Sequence, residues 1–471
     1  MTFISLSYLT FFPLVVAIYF LLPYQRRWIW LLGMSCYFYM AFIPVYILAL
    51  FFTIAVDYVA GILIEREARP SRRKYLLGAS IVANCAVLFV FKYYDFFGAS
   101  LMALTQAIGW NYSIEALEII LPIGLSFHTF QAMSYTIEVY RGRQPAEKHL
   151  GIYALYVMFF PQLVAGPIER PQNLLHQFRE RHDFDSDAAV SGLRLILWGV
   201  FKKVVIADRL ALFVDRVYST SGVQPSAYLI SATVFFAFQI YCDFSAYSDI
   251  ARGSARVMGF KLMTNFKYPY FAGSVTEFWR RWHISLSTWF RDYVYVPLGG
   301  KQVSFWIRMR NLLVVFLISG LWHGANLTFV IWGALHFIFV GSEAYFGLTT
   351  GDKSPAGLRG FARVLYTFTA VTIAWVFFRA KDVHEALNIL FEMTQVSHGQ
   401  IPIFFLDPDL HKCAAAVFTV VALEYVWSRW DIESFIFQLP RPVRWAGYYV
   451  MIAAIFAAGV FDNKSFIYFQ F

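Results

Sequence analysis

Two histidines stand where their chemistry would matter most. His323 lies in Ser319-Gly320-Leu321-Trp322-His323-Gly324-Ala325-Asn326, near the end of an apolar run that opens at Asn311 behind the basic Arg308 and Arg310. Twelve residues of helix from Asn311 cover about 18 Å, which would carry the imidazole near the middle of a ~30 Å hydrocarbon layer. A histidine titrates near neutrality and can act as a general base, and an ionisable group in such a segment points first to function. On position alone, a packing histidine bonded to a neighbouring helix fits equally well. His283 comes 40 residues earlier, in Glu277-Phe278-Trp279-Arg280-Arg281-Trp282-His283-Ile284-Ser285-Leu286-Ser287-Thr288-Trp289-Phe290-Arg291-Asp292-Tyr293. That stretch is too polar to face lipid and too aromatic for a solvated loop. Its arginines could meet phosphates, although from these residues alone an interfacial belt of Trp and Arg at headgroup level is the better reading.

Other buried polar candidates are weaker. His336 follows His323 by thirteen residues, about 220° around a continuous helix, so the two share a face only if the helix breaks at Gly324. A structural role is expected for it. Asp243 and Asp249 have Tyr247 and Ser245 one turn away, and local hydrogen bonds to these hydroxyls could satisfy them. With His128 they read as a polar lattice supporting a cavity. The four cysteines (Cys36, Cys85, Cys242, Cys413) lie far apart with no CxxC pair, so neither a disulfide framework nor a metal site is expected. The chain has no nucleotide-binding glycine fingerprint, no GxSxG elbow and no HExxH. The chemistry is therefore expected to rest on intramembrane histidines and a bound donor.

The elements that must position these groups are apolar throughout. Of 471 residues, 59% are hydrophobic and 20% aromatic but only 15% charged, against about 25% charged in a soluble domain. Mean hydropathy is +0.54. These values exclude a disordered chain, a secreted disulfide scaffold and an ordinary cytosolic enzyme, and predict an all-α, polytopic membrane protein. The formal charge of +9 comes in short clusters between apolar runs: Arg26-Arg27, Arg72-Arg73-Lys74, Lys202-Lys203, Arg280-Arg281, and Arg308 with Arg310. Such clusters read as cytoplasmic loops, and the absence of a continuous basic face argues against nucleic acid.

The first apolar run, Ile4–Leu22, precedes Arg26 and Arg27 and reads as a retained span with the N-terminus facing outward. Further candidate spans are Trp28–Phe42, Tyr46–Ile64, Leu76–Phe91, Leu117–Tyr135, Tyr153–Val164, Leu193–Ile206, Ala227–Tyr241, Asn311–Trp322, Leu327–Phe346, Phe361–Phe378, Cys413–Trp427 and Trp445–Phe461. Short or Pro/Gly-interrupted stretches around Leu121-Pro122-Ile123-Gly124, Phe160-Pro161-Gln162 and Asn265–Gly300 are expected to be re-entrant or to line a cavity. The expectation is a single membrane domain over residues 1–471, with about eleven spans plus one or two re-entrant elements. The connection Ser397–His411 is the nearest thing to a long loop.

These residues resemble the membrane-bound O-acyltransferase (MBOAT) family, and within it the alginate and exopolysaccharide O-acetyltransferase branch. The matching segments are Arg281–Tyr293, Arg310-Asn311-Leu312-Leu313 leading to Gly320-Leu321-Trp322-His323-Gly324-Ala325, Cys242–Asp249 and the terminal Phe466–Phe471. The resemblance implies an MBOAT fold of helices around a central tunnel in the bacterial inner membrane. It makes His323 and His283 the catalytic pair, and Arg280, Arg281, Trp282, Arg291, Trp322 and Asn326 the candidate substrate-binding residues. Arg280, Arg281 and Arg291 would hold the phosphates of acetyl-CoA, a cytoplasmic donor substrate rather than a resident cofactor. The acceptor would be an exported polysaccharide, reached through a periplasmic or cell-surface acetyltransferase partner. Pro161–Arg170 looks like a wider set of polysaccharide-modifying relatives, so alginate, cellulose and other exopolysaccharides all stay open. A D-alanyl transferase of the teichoic-acid branch shares both histidines. A proton-coupled transporter would use the same buried His and Asp, but the paired broken helices of such proteins are not found.

Overall fold

The computed structural model describes residues 1–110, 116–117, 122–164, 166–348, 357–395, 404, 406–430, 432–461 and 466–467. Every regular element among the described residues is helical. Lipid requires this, because a helix satisfies its backbone groups within one segment. Among the described residues seven helices are long and apolar enough to cross a membrane: Pro44–Arg66, Pro70–Ala107, Ser226–Val257, Phe305–His323, Leu327–Tyr345, Gly357–Arg379 and Pro408–Arg429. The expected count of about eleven also drew on shorter runs such as Leu6–Leu21.

The helices outrun their apolar middles. The run expected at Asn311–Trp322 belongs to the helix Phe305–His323, and Ala227–Tyr241 to a helix that continues through two aspartates to Val257. Conversely, the span expected at Tyr153–Val164 breaks into Leu150–Met158 and Phe160–Leu163, with Pro161 in the first turn of the second piece. The span expected at Leu117–Tyr135 is seen as the helix Leu125–Tyr140, entered through Gly124 at φ 75°. Leu121, Ala165, most of the Ser397–His411 connection and Tyr468–Phe471 lie outside the described residues.

The chain divides into two compact units. The first comprises residues 1–196 and 250–264. Its buried Asp57 accepts hydrogen bonds from Asn84 Nδ2 (2.9 Å), Thr136 Oγ1 (2.9 Å) and the Ser80 hydroxyl, tying the helices Ile47–Arg66, Pro70–Leu88 and Leu125–Tyr140 together. A buried carboxylate needs such donors to offset its lost hydration. Leu6, Leu9, Leu14 and Leu21 on the Leu6–Leu21 helix face outward, as a lipid-facing surface requires.

The second unit comprises residues 197–249 and 265–471, and it corrects two expectations. Lys202 and Lys203 are not loop charges. They open a π-helical turn, Lys202–Ala207, and both are buried. Lys203 Nζ bridges Asp208 (2.9 Å) and Asp243 (2.7 Å), while Lys202 Nζ pairs with Asp249 (2.8 Å) and donates to Ser245 Oγ (2.7 Å). The charges on Asp243 and Asp249 are thus met by lysines of another element rather than by hydroxyls one turn away. A buried carboxylate needs hydrogen-bond donors or an opposite charge to offset its lost hydration, and sequence spacing along one helix cannot reveal a partner on another.

Candidate active site

The second unit contains every residue expected to take part in catalysis or binding. His323 is the last residue of the helix Phe305–His323, which a short turn through Gly324 connects to the helix Leu327–Tyr345. The helix starts at Phe305 rather than Asn311, so the imidazole emerges at a helix end. Small residues bring the two helices together. A Cβ at Gly320 would lie 2.2 Å from the Phe329 carbonyl oxygen, and one at Gly333 would lie 2.3 Å from that of Phe316. The backbones therefore touch directly, as small residues permit in membrane helix pairs.

An aromatic wall then closes around His323, which is only 3% exposed. Its ring lies 4.9 Å from Trp332, 5.0 Å from Trp322 and 5.3 Å from Phe378. Because the helix does break at Gly324, His336 joins the same cluster, 4.7 Å from Trp332. Trp279 Nε1 donates to His336 Nδ1 (3.2 Å), which in a neutral ring leaves the proton on Nε2. His323 lies at the C-terminal end of its helix, beside the backbone carbonyls of the last turn.

His283 is held quite differently. The region Asn265–Gly300 is a series of short helices, Pro269–Phe271, Val275–Arg281, Ile284–Phe290 and Arg291–Tyr295, in line with the interrupted element expected there. Ser274 Oγ caps the second by accepting from Glu277 N (3.1 Å), and Glu277 in turn accepts from Gly273 N (2.8 Å) and pairs with Arg281. Glu343, on the Leu327–Tyr345 helix, accepts from Thr276 N (2.9 Å), Thr276 Oγ1 (2.7 Å) and Val275 N. His283 itself adopts φ 44°, ψ 53°. With Tyr268 it is one of two non-glycine residues at positive φ among the described residues, a conformation costing about 1–2 kcal/mol. Such strain persists only where surrounding structure enforces it. The ring is wholly buried, 4.6 Å from Phe244, 6.4 Å from Phe266 and 6.1 Å from Trp322. Burial pushes its pKa down to about 3, so it is neutral at physiological pH. Trp322 thus lies against both histidines.

Trp282 packs in the same cluster, 5.1 Å from Phe266 and 5.2 Å from Trp375. The structure therefore brings His283, Trp282, Trp322 and His323 into one buried aromatic core. Arg281 is half-buried and bonds Glu277 and the Tyr268 carbonyl (3.4 Å). Arg280 is exposed. Arg291 is also exposed and pairs with Asp292 (2.7 Å). Asn326 caps the Leu327–Tyr345 helix, accepting from Thr328 N (3.0 Å) and donating to the Lys381 carbonyl (2.8 Å). Sequence reasoning missed Trp332, Trp375, Trp279 and Glu343. The last carried a signal: an acid inside an apolar run is rarely without a task.

An imidazole buried in an aromatic sheath can accept a proton from a hydroxyl and return it to a leaving group. The chain is similar to known acyl-transfer proteins. The model of the membrane-bound O-acyltransferase family matches residues 148–379. "Probable alginate O-acetylase AlgI" of Pseudomonas putida is 39% identical over 396 residues, covering 83% of this chain and 79% of that protein. The "Peptidoglycan O-acetyltransferase" of Helicobacter pylori is 35% identical over 392 residues, covering 77% and 72%. The "Teichoic acid D-alanyltransferase" of Bacillus subtilis is 25% identical over 235 residues, covering 48% and 59%.

Proposed function

The chain belongs to the membrane-bound O-acyltransferase family, and from that premise we propose that it moves acetyl groups from cytoplasmic acetyl-CoA toward hydroxyls of an exported polysaccharide. It is a multi-pass membrane O-acyltransferase, and the reading places it in the inner membrane. The observation that carries the reading is the buried pair His283 and His323 on either side of Trp322. The likeness to O-acetyltransferases over about four-fifths of the chain supports acetyl as the group transferred. The final acceptor is alginate or another exopolysaccharide, and a periplasmic or surface acetyltransferase completes the relay.

In this mechanism His323 takes the proton of the attacking hydroxyl as its oxygen bonds to the thioester carbonyl carbon. The tetrahedral intermediate collapses, the C–S bond breaks, and the thiolate of CoA receives the proton from His323. His283, neutral and buried, orients the acyl group. Burying the reaction among Trp282, Trp322 and Trp332 keeps water from competing as acceptor. Arg280, Arg281 and Arg291 hold the CoA phosphates. The Trp322 ring and the turn capped by Asn326 line the donor's path.

The test is turnover of radiolabelled acetyl-CoA by the purified chain in nanodiscs, beside His323→Ala at equal abundance. Thioester loss that vanishes in the variant is the expected result. Turnover equal in both would sink His323 as base. Transfer from D-alanyl carrier protein with none from acetyl-CoA would move the chain to the D-alanyl branch.

A further inference from the structure

His283 begins the helix Ile284–Phe290 as its N-cap residue, yet its side chain makes no capping hydrogen bond. A second histidine in the chain behaves in the opposite way. His149 is the N-cap of Leu150–Met158, and its Nδ1 accepts from Ile152 N (3.2 Å). The first turn of Ile284–Phe290 still needs acceptors, because its leading N–H groups have no partner within the helix. They find them on Asn265, far back in the chain. The backbone oxygen of Asn265 accepts from Ile284 N (2.9 Å), and Asn265 Oδ1 accepts from Ser285 N (3.1 Å). Lys267 N donates to the Arg281 carbonyl (2.9 Å) and so fixes Asn265–Lys267 alongside Arg281–Ser285. Asn265 is 1% exposed.

We propose that Asn265 is the positioning residue for His283, supplying in trans the helix cap that the His283 side chain withholds. The inference rests on the acyl-transfer reading for its effect on rate, but its geometry stands apart from it. Asn and Asp are among the best capping side chains because a short carbonyl or carboxylate reaches the second or third N–H of a helix. With that task met from outside, the imidazole of His283 packs edge-on against Phe244 and Trp322. The two bonds on Ile284 and Ser285 also enforce the left-handed conformation between the two short helices. Without them, His283 relaxes to an ordinary φ and its ring leaves the core. The Asn265 side chain acts through His283 and touches no reacting atom.

The experiment compares the full chain in nanodiscs with Asn265→Ala and Asn265→Asp. One readout is acetyl-CoA turnover. Asn265→Ala is expected to lower kcat about 10- to 100-fold, the scale of a misplaced reacting group, with KM little changed. Asn265→Asp keeps the acceptor and is expected to retain most of kcat. The other readout needs no activity: modification of histidines by diethylpyrocarbonate, mapped by mass spectrometry. His283 is expected to be protected in the wild type and in Asn265→Asp, and to react in Asn265→Ala while His323, His336 and His128 stay protected. Wild-type kcat in Asn265→Ala, equal loss in both variants, or unchanged protection of His283 would overturn the proposal. So would labelling of all four histidines together, which marks general unfolding. A wild type with no His323-dependent turnover counts against the acyl-transfer reading, and the labelling pattern then decides the role of Asn265 alone.

Discussion

Around His323 the molecule relies on contact, and around His283 on hydrogen bonds. The first is fixed by a pair of continuous helices whose glycines let their backbones touch, with three aromatic rings closing the space. The second sits on a broken, strained stretch held by Ser274, Glu343 and Asn265, each accepting backbone N–H groups. The contrast follows from the backbone. A histidine at the end of a regular helix inherits a satisfied main chain and needs only walls. One between two short helices brings several unpaired N–H groups with it, and buried carboxylates or amides must receive them.

Three substitutions or conditions sharpen this difference. The largest effect should come from overfilling the helix pair. Gly333→Val puts a carbon where Phe316 O already lies, 2.3 Å from the new Cβ, and backbone cannot give way as a side chain can. A loss of more than about 3 kcal/mol is expected, seen as collapse of the monodisperse peak on gel filtration after mild heating. A variant as robust as the parent would show that the two helices are free to separate. On the polar side, Glu343→Ala strips acceptors from Val275 N, Thr276 N and Thr276 Oγ1. It should cost about 1–3 kcal/mol, with Glu343→Gln intermediate, measured as the shift in thermal midpoint. Equal midpoints for Ala and Gln would mean that shape alone matters at this position.

The smallest effect concerns pH. The His283 pKa falls from 6.5 to about 3 on burial, so between these values the unfolded chain binds more protons than the folded one. Stability is therefore full above pH 6.5 and declines as pH drops below it, by on the order of 1 kcal/mol over the first pH unit. Thermal midpoints followed from roughly pH 7.5 to 5.5 should show this slope, and His283→Asn should lessen it by that one histidine's share, leaving the share of the equally buried His128. An unchanged slope in that variant would assign the acid sensitivity to another group.

Much of this was legible beforehand. Apolar runs located the middles of the long helices, because lipid exposure enforces composition there, but not their ends: Ser226–Val257 continues past the expected Tyr241. The two histidine motifs named residues that the structure brings against one ring, Trp322, and Trp282 and Trp322 beside them were expected to take part. What escaped were partners made by tertiary contact. Lys202 and Lys203 looked like loop charges because they flank an apolar run, yet carboxylates on another helix neutralise them inside the protein. Trp332 and Trp375 fell inside expected apolar spans with nothing to set them apart; the helix break at Gly324 turns Trp332 toward His323. Asn265 gave no signal at all, since its task exists only once Ile284 and Ser285 lie beside it.

The cap from Glu343 carries a consequence for biosynthesis. Val275 leaves the ribosome 68 residues before the acid that receives its N–H. At ordinary elongation rates of about 5–20 residues per second, that interval is roughly 3–14 s. During it the short helices around His283 must wait with an incomplete cap while the two long helices behind them are still being made and inserted. The folding of this stretch is therefore a late event of assembly. A nascent chain arrested before Glu343 should leave the Val275–Arg281 region open to protease, and one arrested well beyond it should leave that region shielded.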